Sequence, residues 1–180
     1  MLVALEFFLG GAKIAPKIFK LRPDYRELLM VVEGIPPSPS ETLLQEAESL
    51  AREALLKQHV VDIPHIEAWR DAYMAAFGAK PKKDRNSLEF LVRRAEGGLH
   101  RVNRLADTYN AASIKHQISL EGENLDKYDG FPQLIRATGQ EDLETISAAS
   151  TVTEHPPLGE FVWYDDAGVT YRRWMLENVI

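Results

Sequence analysis

Residues 98–113 read GLHRVNRLADTYNAAS, and this stretch determines both the expected fold and the expected site. Asn103, Asp107, Asn110 and Ser113 recur within it at spacings of four, three and three residues. On a helix that begins near Asn103 these positions lie on one face. Because Asn and Asp are poor helix formers, a polar stripe on a packed helix needs local hydrogen-bonding partners.

Two interpretations of this stripe are open from the sequence. The side chains can form a buried polar network that caps the helix and ties it to a neighbouring loop. They can also form the wall of a pocket that orients a polar ligand. The two roles are compatible with each other.

Apolar residues at helical spacing predict three further helices before the stripe. The first has a good start, with Ser38 as N-cap, Pro39 at the first helical position and Glu41 at the capping-box position. The second carries Ile66 and Trp69 on one stripe. The four predicted helices cover about residues 38–57, 62–77, 86–96 and 105–116.

The last third of the chain changes character and reads as strands. Asp165 to Gly168 form a predicted hairpin turn, with glycine where a positive φ is often required. Residues 1–9 predict a buried strand or a short packed helix. The predicted strands are residues 25–32, 118–120, 133–137, 144–146, 161–164 and 169–174. Helices in the N-terminal two-thirds and antiparallel strands in the C-terminal third predict an α+β fold, with residues 1–180 as a single domain.

Composition excludes several classes of site. The 180 residues include no cysteine, which excludes disulfides, thiolate metal sites and a thiol nucleophile. The five histidines have no metal-ligand spacing, and no phosphate-binding or dinucleotide-binding glycine motif is present. We therefore expect no metal and no cofactor. Residues 1–9 lack the basic flank of a signal peptide, so the expected compartment is the cytoplasm.

Charge is unevenly distributed along an acidic chain of net charge -6. Residues 80–104 carry +5, so the remainder carries -11. This basic segment is either a solvated helix face or a surface that contacts the phosphates of a nucleic acid. Its candidate phosphate contacts are Lys82, Lys83, Arg85, Arg93 and Arg94.

Several of these pieces together resemble the B3/B4 domain, the tRNA-editing module of the β subunit of bacterial phenylalanyl-tRNA synthetase. The resemblance is closest to freestanding relatives of that module and covers about residues 60–174. The matching pieces, in family order, are residues 69–73, 77–78, 81–91, 93–98, 102–113, 125–127 and 165–174.

The resemblance implies a β/β/α sandwich and a cleft for the aminoacyl group at the end of tRNA. The acidic net charge of -6 argues against a DNA or membrane partner. The resemblance also implies hydrolysis of the ester of a wrongly attached amino acid. Such an ester is already activated, so a positioned water can suffice without a protein nucleophile. Under this implication Asn103, Asp107, Asn110 and Ser113 line or support the pocket, and the candidate phosphate contacts hold the tRNA.

The chain also departs from the family pattern. A functional histidine of the synthetase aligns with Glu121, which makes Glu121 and the nearby Glu123 pocket candidates. A pocket glutamate of the synthetase would fall near Glu177, and the chain stops at Ile180 where relatives continue. A second hypothesis is therefore a non-catalytic module that keeps the fold and binds RNA, an amino acid or a protein. A small-molecule hydrolase using the same cleft is a third.

Overall fold

A computed structural model describes residues 2–34, 40–77, 85–147 and 150–172. Within these ranges the chain is mixed α+β, as predicted, with helices mostly in the N-terminal part and strands mostly in the C-terminal part. The helices are α1 (Leu2–Gly11), α2 (Pro16–Leu21), α3 (Glu41–Lys57), α4 (Pro64–Phe77), α5 (Ser87–Arg94) and α6 (Arg104–His116). The strands are β1 (Lys13–Ile14), β2 (Gln133–Arg136), β3 (Leu143–Ser147), β4 (Ser150–Glu154), β5 (Phe161–Tyr164) and β6 (Val169–Arg172).

The described residues form two compact units. Residues 32–122 form the helical unit, and the residues up to Val31 together with those from Glu123 onward form the strand unit. The prediction of a single domain over residues 1–180 stays a prediction.

The helical unit packs α3, α5 and α6 around one apolar core. Its four predicted helices are confirmed, although α4 begins at Pro64 because Asp62 belongs to a short 3₁₀ turn, Val60–Asp62. Asn86 caps α5 by accepting a hydrogen bond from the Glu89 amide at 2.7 Å. The predicted N-cap Ser38 and first helical residue Pro39 lie outside the described residues. The predicted capping-box position of Glu41 is wrong, because α3 begins at Glu41 with Ser40 as its N-cap. The most deeply buried core side chains are Leu44, Ile63, Ile66, Leu88 and Val92.

The strand unit contains a four-stranded sheet in the order β1-β2-β5-β6, and β3 pairs with β4 separately. β1 runs parallel to β2, and the other pairs are antiparallel. The predicted hairpin turn between β5 and β6 is confirmed. Asp165 closes it, because its carboxylate accepts hydrogen bonds from the amides of Ala167 and Gly168 at 2.9 and 3.1 Å.

Two predicted strands are wrong. Residues 25–32 form neither a helix nor a strand and pair with no strand in the described part of the chain. Residues 118–120 are also irregular. Gln117 ends α6 in the left-handed region, with φ of 54°, and the Ile118 amide then donates back to the Ser113 carbonyl at 3.1 Å. The chain therefore folds against the end of α6 at this point instead of joining a sheet.

The prediction for residues 1–9 resolves in favour of the helical alternative, because α1 covers most of them. Strands β1 and β4 were not predicted. β1 has only two residues, and every residue of β4 is exposed, so neither carries the alternation of apolar and polar residues that marks a strand.

Candidate functional site

The polar stripe on α6 begins with two residues that bind backbone. Asn103 is the N-cap of α6 and accepts a hydrogen bond from the Ala106 amide at 2.9 Å. The Asp107 side chain is fully buried, and its two oxygens accept hydrogen bonds from the amides of Ser40 and Val102, each at 3.1 Å. Asp107 therefore joins the first turn of α6 to the residue that precedes α3.

Further along the stripe, Ser113 is also fully buried, and its hydroxyl donates to the Ile118 carbonyl at 2.5 Å. Asn110 is partly exposed. Asp107 and Ser113 thus behave as the buried-network interpretation describes, tying the helix to neighbouring segments, whereas Asn103 caps the helix but is exposed. Their assignment as pocket residues, and that of Asn110, stays a prediction.

Tyr109 and Glu121 come together beside this helix. The Tyr109 ring lies against Gly122, where an added Cβ would stand 2.9 Å from the ring edge. Burial raises the pKa of Tyr109, and the charges of Glu121 and Asp107 raise it further. Glu121, one of the predicted pocket residues, is exposed. Its charge acts on the Tyr109 hydroxyl within the helical unit.

Glu123, the other acidic candidate, belongs to the strand unit. The residue is exposed, but partial burial of its carboxylate raises the pKa of Glu123, and the charge of Asp165 acts in the same direction. The hydroxyls of Tyr128 and Thr170 lie beside that carboxylate and oppose the rise in its pKa. Glu121 and Glu123 are thus two residues apart in sequence but have different surroundings.

A cluster of charged residues surrounds Glu89, whose side chain is fully buried in α5. Arg70 of α4 binds it at two points, Nε to Oε2 at 2.9 Å and Nη2 to Oε1 at 2.7 Å. Arg93 donates to Oε1 at 2.9 Å, and Arg85 Nε lies 3.8 Å from the same oxygen. Burial tends to raise the pKa of Glu89, but the bonds from Arg70 and Arg93 outweigh it and hold that pKa below its ordinary value.

We call Arg70, Arg85, Glu89 and Arg93 the arginine cluster. Three guanidiniums share one carboxylate, so the four residues carry a net charge of +2. The side chain of Arg70 is 17% exposed, whereas those of Arg85 and Arg93 are 44% and 39% exposed. The cluster therefore combines a buried anchor with two guanidiniums that reach solvent.

Other predicted phosphate contacts have different environments. Arg94 lies over the Phe90 ring at 5.7 Å and contacts the His100 ring. Lys82 and Lys83 lie outside the described residues. Arg101, also in the basic segment, binds the Glu41 and Glu48 carboxylates at 2.7 and 2.6 Å, so its charge is largely matched.

The sequence did not predict that Arg70 and Glu89 pair in the arginine cluster. One signal for part of it was available. Arg85, Glu89 and Arg93 stand four residues apart, a spacing at which opposite charges attract along a helix. Arg70 lies on a different helix, so its contact could not be inferred from spacing.

The chain is similar to a known protein family. The model of the B3/4 domain matches residues 69–177, which is more than half of the chain. The chain belongs to the B3/4 domain family. This confirms the family resemblance, and the family suggests a function in tRNA binding or in editing. The arginine cluster and the α6 stripe both lie within the B3/4 match.

No curated protein and no solved structure gives a significant match to this B3/4 chain. Among the residues described, no helix combines the length and apolar character required to cross a membrane.

Proposed function

We propose that this B3/4 protein binds the aminoacylated end of tRNA and hydrolyses the ester of wrongly attached amino acids. The observation that carries the binding proposal is the arginine cluster. Its two solvent-reaching guanidiniums, Arg85 and Arg93, sit on an otherwise acidic chain and are held by a buried carboxylate. Such a cluster would attract phosphates at one place without making the whole surface attractive to nucleic acid.

Arginine suits this role because its planar guanidinium donates several hydrogen bonds in a fixed geometry. In the cluster, Nε and Nη2 of Arg93 both lie 2.9 Å from Glu89 Oε1, and the Arg93 side chain is still 39% exposed to solvent. Side chains that are already anchored lose less conformational entropy when they bind a phosphate. We assign Lys82, Lys83 and Arg94 as further phosphate contacts on their place in the same basic segment.

The hydrolytic step of the proposal needs no protein nucleophile. A water oxygen adds to the ester carbonyl carbon, and the bond from that carbon to the ribose oxygen breaks. One proton of the water ends on the ribose hydroxyl, and the amino acid leaves with a free carboxyl group. We propose that Asn110 and Glu121 orient the substrate and this water, because Asn110 is partly exposed on α6 and Glu121 adjoins Tyr109 on the same helix. Asn103, Asp107 and Ser113 would hold the backbone around them.

Deacylation assays with the purified protein test the proposal. The substrates would be a panel of tRNAs, each charged with a correct or an incorrect amino acid. We expect faster release from at least one mischarged tRNA and a loss of about tenfold or more with Asn110→Ala. Thr108→Ala is the matched control, since Thr108 is an exposed residue of α6 whose hydroxyl bonds only the carbonyl of the preceding turn.

The alternative function is binding without catalysis, favoured by the glutamate that stands where the synthetase has a histidine. Thermal-shift measurements with uncharged tRNA separate the two. Stabilisation by tRNA with no release from any member of the panel would support binding alone. An absence of both effects would contradict the proposal.

A further inference from the structure

The strand unit contains a pocket of about 300 Å³, at the small end of the range for ligand-binding cavities. Its apolar lining comes from separate parts of the chain. Leu9 belongs to α1, Ile14 to β1 and Trp163 to β5, and Leu29 belongs to the irregular segment after α2. Most of these residues precede the stretch matched by the family model, so this pocket is built largely outside that match.

Strand register explains why Ile14 and Trp163 meet there. Ile14 is directly opposite Leu134, and Leu134 is directly opposite Trp163. Residues opposite each other on neighbouring strands project to the same face of a sheet. The aliphatic and indole side chains therefore lie on one face, where they form an apolar floor.

Glu27 supplies the acidic group of the pocket. The residue is exposed, but its carboxylate accepts a hydrogen bond from the Tyr25 hydroxyl, and partial burial of that carboxylate raises the pKa of Glu27 above its ordinary value. A carboxylate that has lost part of its hydration gains from a nearby cation. Lys13 also lines the pocket, but successive strand residues project to opposite faces, which directs its side chain away from the face that carries Ile14.

We propose that this pocket binds a small organic amine with an apolar body. The ammonium group would contact the Glu27 carboxylate and the face of the Trp163 indole, which attracts cations. The apolar body would contact Leu9, Ile14 and Leu29. This inference is independent of the proposed tRNA function, since none of its residues belongs to the arginine cluster or to α6.

Isothermal titration calorimetry on the full chain tests this inference. The probes are isoamylamine and phenethylamine, each compared with its uncharged counterpart, isoamyl alcohol or phenethyl alcohol. We expect each amine to bind at least about tenfold more tightly than its alcohol, because only the amine makes a charge-assisted hydrogen bond. Glu27→Gln should abolish this preference, whereas Glu33→Gln, which changes a glutamate of the same segment that does not line the pocket, should retain it.

Several results would overturn the inference: no amine binding by folded wild-type protein, equal affinity for amine and alcohol, or an unchanged preference in a folded Glu27→Gln variant. Because burial disfavours the charged form of Glu27, we expect the neutral glutamine variant to fold. Should it not fold, Trp163→Leu provides the second test. A preference for amines that is unchanged in folded Trp163→Leu would contradict the cation contact with the indole.

Discussion

Arg70 and Glu89 form a two-point ion pair between α4 and α5, with nitrogen-to-oxygen distances of 2.9 and 2.7 Å. The Glu89 side chain is fully buried, and that of Arg70 is 17% exposed. Charges removed from water are stable only when they are paired and hydrogen-bonded. The pair is therefore both a link within the helical unit and the anchor of the arginine cluster.

Replacing Glu89 tests this link. Glu89→Gln removes the negative charge and leaves Arg70 and Arg93 facing a neutral amide. We expect a loss of about 3 kcal/mol in the free energy of unfolding, the range measured when one partner of a buried pair is removed. Urea denaturation measures it. Glu96→Gln, at an exposed glutamate just after α5, should change the stability by less than about 0.5 kcal/mol. Similar losses in both variants would contradict the assignment.

The same carboxylate predicts a pH dependence of stability. Because the pKa of Glu89 in the folded chain is lower than its ordinary value of 4.5, the stabilisation that it provides is fully present above pH 4.5. It is lost as the pH falls through the lowered pKa. The stability difference between wild type and Glu89→Gln should therefore shrink as urea titrations are repeated at decreasing pH. A difference that stays constant down to acid unfolding would contradict this prediction.

Replacing Asp107 should lower the stability of the fold. Its two oxygens accept hydrogen bonds from the amides of Ser40 and Val102. Asparagine has one acceptor oxygen, so Asp107→Asn leaves the amide of Ser40 or of Val102 facing an NH₂ group. We expect a loss of about 2 kcal/mol by thermal or urea unfolding. Asn110→Ala removes a partly exposed side chain of the same helix and should cost less than about 1 kcal/mol. The reverse order would indicate that Asn110 holds the fold.

Local sequence signals predicted the four helices of the helical unit, because helix starts depend on nearby residues, whereas the short helix α2 of the strand unit was not predicted. Asn86 and Asn103 each cap the helix that follows them, as their positions before apolar runs suggested. Strands depend on partners distant in sequence. Residues 25–32 contain the apolar run Leu28–Val32, which reads as a strand, yet Leu28 and Met30 are exposed, and no strand pairs with the segment within the described ranges.

The candidate site was also predictable only where it depends on local sequence. The α6 stripe was visible because helical spacing places its residues on one face. The sequence could not decide between a buried network and a pocket wall, since the deciding partners Ser40 and Val102 are set by tertiary packing. Arg70 lies 19 residues from Glu89 on another helix, so only the folded chain brings the two together.

The turn between β5 and β6 offers a backbone test. Gly168 has φ of 149°, and an added Cβ would stand 2.7 Å from the Asp142 carbonyl oxygen. Gly168→Ala therefore strains the backbone and forces that carbonyl to move, with an expected loss of about 2 kcal/mol in unfolding experiments. Gly97→Ala is the matched control, because its nearest neighbouring atom would be 3.8 Å away. Equal stability of the two variants would contradict the close approach.

Arg85 allows phosphate binding to be tested without disturbing the fold. Its ion pair with Glu89 is long, at 3.8 Å, and its side chain is 44% exposed, so Arg85→Ala should change stability by less than about 1 kcal/mol. If its guanidinium contacts a phosphate, the variant should bind uncharged tRNA more weakly and release fewer counterions. The slope of log affinity against log salt should fall in magnitude by about 0.7 to 0.9. Lys57→Ala removes an equal charge at the exposed end of α3, outside the family match, and should leave the slope unchanged. Equal slopes for wild type and Arg85→Ala would remove Arg85 from the tRNA interface, whereas a parallel change in Lys57→Ala would indicate general attraction of charge without a defined contact.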